Sequence, residues 1–295
     1  MTAIAEPQVE AGARTRGGRL VRALNRAPIH IALAVIALIW LAPTVGLLIT
    51  SFRPRSDIQV TGWWESFLQF RYTLSNYEEV LTAQGMGEAF LNTVMIAVPS
   101  TLIPLTLASM AAYAFSWLNF PFRDALFLLV VALLMVPLQV AFIPLLKLFA
   151  PTGLLNSFGA IWLTHTAFAL PFGIFLLRNF FITLPRDLIE AARIDGSSSL
   201  NIFRKIVVPL SVPAIAAYGI FQFLWVWNDL LMAVIFVQKP GSAPMTRAIQ
   251  NLLTQYGTEW HILAAGAFLL MGIPLLVFFA LQRFFVQGLL AGSVK

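Results

Sequence analysis

Leu184-Pro185-Arg186-Asp187-Leu188-Ile189-Glu190-Ala191-Ala192-Arg193-Ile194-Asp195-Gly196-Ser197-Ser198-Ser199-Leu200-Asn201-Ile202-Phe203-Arg204-Lys205-Ile206-Val207-Val208-Pro209 is a charged stretch between two apolar blocks. Thr183 is suited to cap a helix whose first turn holds Pro185, and that helix should run to about Asp195 before Gly196 turns the chain. Helical spacing groups Leu188, Ile189, Ala192 and, less closely, Ile194 away from Arg186, Asp187, Glu190 and Arg193. A helix of roughly 10 residues is marginal alone in water, so this one needs a surface: lipid, its own bundle or a partner protein. The small Ala191 and Ala192 argue against deep lipid insertion, which calls for bulkier apolar side chains, and fit close approach to a protein groove. Ser197, Ser198 and Ser199 have no Ser-His-Asp arrangement and read as caps for the next helix.

The rest of the chain explains what this stretch interrupts. Of 295 residues 59% are hydrophobic and only 11% charged, whereas a soluble domain carries roughly 25% charged residues. The apolar excess falls in blocks of about 20 residues, the length that crosses a bilayer. Spans are expected at Ile29 to Phe52, Ala89 to Ser116, Asp124 to Phe149, Phe158 to Ile182, Val212 to Val237 and His261 to Val286. The expected fold is therefore an all-α membrane protein with six transmembrane helices. Residues 1–28 form a basic amino-terminal segment, 29–286 the transmembrane domain, with a loop at about 183–210, and 287–295 a tail. The first apolar block exceeds the roughly 7 to 15 residues of a secretory signal and reads as a retained anchor.

With the amino terminus in the cytoplasm, the inner segments hold Arg14, Arg16, Arg19, Arg22, Arg26, Arg123, Arg178, Arg186, Arg193, Arg204, Lys205, Arg283 and Lys295. The outer ones hold Arg53, Arg55, Arg71, Lys147, Lys239 and Arg247. That asymmetry places both termini and the 183–210 loop in the cytoplasm by the positive-inside rule. The net charge of +6 is thus topological, and no nucleic-acid partner is expected. Residues 53–87, with Trp63, Trp64, Tyr72 and Tyr77, suit an interfacial or external region holding a short helix near Ser75 to Leu81. Gln238 to Trp260 is expected to be an external loop. Pro99, Pro104, Pro137, Pro144, Pro171 and Pro274 fall inside spans, where each frees a backbone carbonyl and bends the axis.

Chemistry-bearing residues are sparse. The absence of cysteine excludes disulfides, thiolate metal sites and cysteine nucleophiles. His165 and His261 stand without metal-ligand spacing or a carboxylate pair and read as packed or interfacial histidines, so neither a metal site nor a catalytic residue is expected. Asp229, in span 5, must face protein or water rather than lipid; it reads as a polar contact in a solute path or gate, or as an interhelical bond of the Asn228-Asp229 pair. Trp225 and Trp227 could stack a sugar ring or serve as packing.

The long stretch resembles the EAA loop of binding-protein-dependent ABC importer permeases: Glu190-Ala191-Ala192, three residues, Gly196, nine residues, then Ile206-Val207-Val208-Pro209, with Val208 in place of the usual Leu. The likeness extends to Asn92-Thr93, Ala111-Ala112-Tyr113-Ala114-Phe115, Pro137, Trp227-Asn228-Asp229, Gln255-Tyr256-Gly257-Thr258 and the tail Phe285 to Lys295, and it is similar to the carbohydrate branch, to the maltose permease's G-type subunit. Gly288 to Lys295, with Ser51-Phe52-Arg53-Pro54-Arg55, is most similar to permeases of α-glucoside importers.

The resemblance implies a type I ABC importer permease fold in a bacterial or archaeal plasma membrane. Its implied partners are a second, F-type six-span permease, a homodimeric ATPase, an external sugar-binding protein, a carbohydrate substrate such as an α-glucoside or other di- or oligosaccharide, and the lipid bilayer. It implies ATPase coupling through Glu190, Ala191, Ala192, Arg193, Asp195, Gly196, Ile206 and Pro209, a solute path or gate at Trp225, Trp227, Asn228 and Asp229, and a tail contact at Gln287, Gly288 and Gly292. The chain carries no Gly-x-x-x-x-Gly-Lys-Ser/Thr loop, so it is expected to bind no cofactor, with ATP and magnesium used by the partner. A permease for a non-sugar solute is the nearest alternative. A self-sufficient secondary transporter would require more intramembrane charge or an inverted repeat, and an intramembrane enzyme would require paired catalytic groups.

Overall fold

The computed structural model describes residues 16–239, 241–255 and 259–291. Every described element is helical. Four helices are long and apolar enough to cross a membrane unbroken: Ala27–Ser51 (span 1), Met86–Trp117 (span 2), Phe158–Phe181 (span 4) and Trp260–Arg283 (span 6). Span 6 continues as helix to Ala291.

The other two spans are broken, each for a local reason. Span 3 was expected as one helix, but it consists of Arg123–Leu133 and Leu138–Phe149 set at 99° to each other. Pro137 disfavours helical backbone at Val136 and has no N–H to continue the ladder, so the first half ends in tight turns from Leu134 to Val136. Span 5 runs over Val212–Trp227, stops at Asn228, and restarts as Leu231–Phe236. It is preceded by Ser199–Leu210 at 80°, with the corner at Ser211. In this preceding segment Phe203–Val207 is a π-turn, which widens the ladder ahead of Pro209, a residue that cannot donate. The expected external loop 238–260 also contains a helix, Met245–Gln255. Its buried Met245 and Leu252 fall seven residues apart, on one helical face.

Spans 2, 4, 5 and 6 form the packed centre around two apolar clusters. One holds Met86, Ile96, Ile161, Trp227, Phe236 and Leu263. The other holds Ala112, Tyr113, Leu177, Phe181, Ile189 and Tyr218. Between the two levels lie buried polar residues: Ser100 and Thr101 on span 2, Thr164, His165 and Thr166 on span 4, and Gln222 on span 5. Spans 4 and 5 meet closely at Gly173, where a Cβ would stand 2.3 Å from the Tyr218 ring. The Tyr218 hydroxyl donates to the Ala169 carbonyl at 3.0 Å.

Three of the proline-freed carbonyls have found donors on neighbouring spans. An α-helical carbonyl accepts from the N–H four residues on, so Pro99, Pro104 and Pro274 release Met95, Ser100 and Leu270. Trp162 Nε1 on span 4 donates to the Met95 carbonyl at 2.9 Å. Gln222 Nε2 on span 5 donates to Ser100 at 3.0 Å. Trp227 Nε1, also on span 5, donates to Leu270 on span 6 at 2.9 Å. Bends that prolines impose are thereby converted into interhelical bonds.

Gln222→Leu is expected to destabilise the detergent-solubilised protein by about 1 to 2 kcal/mol, because the Ser100 carbonyl loses its donor. In a Pro104→Ala background the backbone N–H restored at that position replaces the lost donor, and the same substitution should then cost far less. A thermal-unfolding double-mutant cycle reads the difference; equal costs in both backgrounds would contradict the pairing. Gly173→Val should cost about 1 to 3 kcal/mol by driving into the buried Tyr218 ring, and the same melting assay measures it.

Candidate functional site

Two regions carry the residues singled out from sequence. The first is the Arg186–Ile194 helix. Ile189 and Ala192 are buried in the cluster of Ala112, Tyr113 and Phe181, so the helix lies on its own bundle. Ala192 is therefore spent inside the subunit, while Ala191 beside it remains exposed. Ile194, grouped with the apolar face by spacing, is 86% exposed; at the last turn the bundle has fallen away beneath it. Thr183 does not cap the helix, because its hydroxyl donates back to the Phe180 carbonyl of span 4 at 2.7 Å. Pro185 occupies the cap position, without a side-chain bond.

The end of the helix is better defined. Gly196 adopts φ +77°, its N–H reaches the Arg193 carbonyl at 3.0 Å, and the Ser197 N–H reaches the Ala192 carbonyl at 3.0 Å. These paired bonds are a Schellman motif, in which the left-handed residue is favoured as glycine. Ser198 then caps Ser199–Ile202, its hydroxyl accepting from the Asn201 N–H. Arg193 donates to the Trp117 carbonyl at the end of span 2. One arginine thus pins the helix to span 2, while the short turn at 182–185 joins it to span 4.

What remains outward is a ridge of Arg186, Asp187, Glu190, Ala191 and Asp195, all exposed, joined by Leu188, which helical spacing grouped with the apolar face but which is 46% exposed. Ile206 is half-buried in the π-turn and Pro209 is exposed. The sequence motif therefore divides into residues that mount the helix on its subunit, Ile189, Ala192 and Arg193, and residues that face away from it. The family-like Ala111 to Phe115 run belongs to the mounting: Ala112 and Tyr113 are buried in the same cluster, and the Tyr113 ring lies 5.3 Å from that of Phe203.

The second region is a cleft of about 870 Å³ opened by the break in span 3, with Pro137, Phe168, Phe172, Phe221, Gln222 and Trp225 among its walls. Trp225 is half-buried and meets His165 edge-on, with ring centroids 5.4 Å apart. His165 Nε2 lies 3.8 Å from an Asp229 carboxylate oxygen, so His165 has the carboxylate neighbour that sequence spacing did not show. The same Asp229 oxygen accepts from the Met232 N–H at 3.0 Å, capping Leu231–Phe236. Its main-chain carbonyl accepts from Thr246 at 2.8 Å. Asn228 donates to Leu224 within its own helix.

Trp227 departs from the sugar-stacking expectation: it is 2% exposed, committed to Leu270 and packed against Phe90 and Phe223. The four residues 225, 227, 228 and 229 thus do different jobs, with Trp225 alone of them on the cleft wall. The Asn92-Thr93 pair holds the distant 241–245 segment: Asn92 donates to the Gly241 carbonyl at 2.8 Å, and the Thr93 hydroxyl accepts from the Met245 N–H at 2.8 Å. Among the described residues no group of three or more His, Cys, Asp or Glu could hold a metal ion. Of the tail, Gln287 and Gly288 lie in the span 6 helix; Gly292, like Tyr256-Gly257-Thr258, lies outside the described residues.

Residues 104–291, which contain both regions, match the family described as binding-protein-dependent transport system inner membrane component. The chain is 54% identical over 276 residues to the osmoprotective compounds uptake permease protein GgtD of Synechocystis, covering 92% of this chain and 93% of that one. It is 52% identical over 231 residues to the alpha-glucoside transport system permease protein AglG of Rhizobium meliloti, covering 76% and 61%. Its fold superposes with a TM-score of 0.65 on a chain of a bacterial ABC transporter that imports alginate, at 15% identity over 91% of this chain and 99% of that one. The chain belongs to the inner-membrane permease family of binding-protein-dependent ABC importers, as a multi-pass, non-catalytic subunit that works with a separate ATPase.

Proposed function

We propose that this chain is the G-type half of a sugar importer whose substrate is a small neutral α-glucoside. It pairs with an F-type six-span permease, receives sugar from an external binding protein, and is driven by a homodimeric ATPase. Both termini and the Arg186–Ile194 helix lie in the cytoplasm. The observation that carries the coupling role is the two-sidedness of that helix: Ile189, Ala192 and Arg193 fix it to spans 2 and 4, leaving Glu190 and its neighbours exposed.

A helix so mounted can transmit movement. When ATP closes the ATPase dimer, a groove holding the exposed ridge displaces the helix, and the Arg193 bond to Trp117 and the Ile189 contacts pass the displacement into the bundle. Glu190 pairs with an arginine of that groove. Ile206 and Pro209 shape the return to span 5, and Gln287, Gly288 and Gly292 supply a further ATPase contact. The solute path follows the cleft wall at Trp225, with the Asn228–Asp229 break of span 5 acting as its gate.

The α-glucoside reading is supported by 52% identity to AglG and by the aromatic cleft, since apolar pyranose faces stack on such rings. The 54% identity to an osmoprotective compounds permease supports a second reading, a non-sugar osmolyte. Titrating the partner binding protein with maltose, trehalose, sucrose and glycine betaine separates the two: affinity for a disaccharide and none for betaine is expected, and the reverse selects the alternative.

Glu190→Lys in the reconstituted complex should lower sugar-stimulated ATPase activity and uptake together by about 10-fold or more, the equivalent of one lost charge-assisted contact of at least about 1.4 kcal/mol. Wild-type values for both would refute coupling through Glu190. The purified chain alone should hydrolyse no ATP. Trp225→Ala should reduce uptake severalfold while stimulated ATPase activity persists; unchanged uptake would remove Trp225 from the path.

A further inference from the structure

Span 1 ends at Ser51, and the chain rejoins that end twenty-odd residues later. The Thr73 N–H donates to the Phe52 carbonyl at 2.7 Å. Asn76 Nδ2 donates to the carbonyls of Ser51 and Arg53, both at 2.9 Å. The Ser51 and Tyr77 hydroxyls lie 2.7 Å apart. Residues 53–72 are therefore a closed excursion with its ends tied, the geometry of a compact surface loop. Its inner side is built: Arg53 is 3% exposed and donates to the Asp57 carbonyl and to Thr61.

The outer side is unlike that of a water-facing loop. Trp64, Phe67, Leu68, Phe70 and Leu74 are all exposed, Leu68 by 83%. Phe70 holds left-handed backbone, φ 46°, a conformation disfavoured for an aromatic residue, and from it presents its ring outward rather than into the core. So many exposed large apolar side chains within eleven residues, interspersed only with the exposed Gln69 and Arg71, mark a surface that is covered.

The level of the loop identifies the cover. Trp63 folds back along span 1 to Gly46, where a Cβ would meet its Nε1 at 2.8 Å. Gly46 lies about 7.5 Å inside the helix end, at 1.5 Å per residue. Pro43, Gly46, Trp63 and Trp260 border one small cleft, and Trp260 is the first residue of span 6. The loop is thus held beside the last turns of span 1 and the first turn of span 6, at the depth where Trp and Tyr collect.

We propose that residues 62–74 form an interfacial foot, with Trp64, Phe67, Leu68 and Phe70 inserted at the headgroup–acyl boundary of the bilayer and fixing the depth of span 1. Its occupant is lipid. Arg55 and Arg71, the basic residues beside the foot, are each paired with a carboxylate, Glu259 and Asp57, which suits an element lying in the membrane plane with its charged groups at the headgroup level. The foot requires neither a particular substrate nor a particular orientation of the chain.

The chain has no cysteine, so Leu68→Cys gives a single attachment point for an environment-sensitive nitrobenzoxadiazole dye, with Thr82→Cys, exposed beyond the foot, as the aqueous control. The assembled transporter is labelled in phosphatidylcholine nanodiscs, the signal of the transporter carrying the unsubstituted, cysteine-free chain is subtracted as the partners' background, and ATPase activity confirms integrity. At position 68 the dye should emit at shorter wavelength than at 82, be quenched more by 5-doxyl than by 12-doxyl lipid, and resist iodide. Quenching by iodide without doxyl quenching would overturn the proposal by placing the loop in water. Protection from both quenchers would assign the face to the partner permease, and a blue shift arising only on adding the binding protein would assign it to that protein; either result refutes the lipid foot.

Discussion

A backbone carbonyl without a donor inside a bilayer is the constraint on which this subunit depends. Water cannot supply the missing bond in the hydrocarbon, so a carbonyl freed by a proline in a span gains from a donor on a neighbouring helix or from a local adjustment of the ladder. Spans 2 and 6 carry such prolines at 99, 104 and 274, and the donors come from Trp162, Gln222 and Trp227. These three bonds tie spans 4, 5 and 6 into one unit around span 2. They also set where polar side chains occur: Gln222 sits at the level of Ser100, Thr101 and His165, between the two apolar clusters. A bundle joined at its middle by a few directed bonds, with close-packed apolar clusters above and below, is suited to having two arrangements, because directed bonds and packed interfaces both switch between discrete states rather than deforming continuously.

Pro137 shows the other outcome of the same constraint. There the freed backbone ends the helix, and the 99° turn in span 3 opens the cleft beside Trp225. The Asn228–Leu230 interruption of span 5 is closed by Asp229 itself, which caps the following helix and approaches His165. Irregular backbone in this chain thus falls where protein surrounds it or where a cleft begins, as a membrane requires.

The Arg186–Ile194 helix illustrates how far a motif can be read. Its position, length and Gly196 turn follow from local rules: a proline start, one apolar face and a left-handed residue at the end. Sequence does not reveal the division of labour within it. Ala191 and Ala192 look equivalent in the string, yet one faces outward and the other is buried, because helical rotation carries adjacent residues about 100° apart. Arg193 reads as a surface charge, and its bond to Trp117 joins residues 76 positions apart, a pairing that no local pattern encodes. Similarly, the Met245–Gln255 helix had an apolar face visible in Met245, Ile249 and Leu252, but its polar composition and flanking Pro240, Gly241 and Pro244 favoured a loop.

The membrane as solvent, the six apolar blocks, the proline positions and the family-like loop are legible in the string of residues, because hydropathy, helix length and turn chemistry are local properties of consecutive residues. Packing of the helices settles the rest: which donors meet the freed carbonyls, that Trp227 packs while Trp225 lines a cleft, that His165 lies beside Asp229, and that the loop after span 1 returns to its own starting point. Each of these joins residues distant in the chain, and a buried polar group declares its partner only once the helices that carry both are packed together.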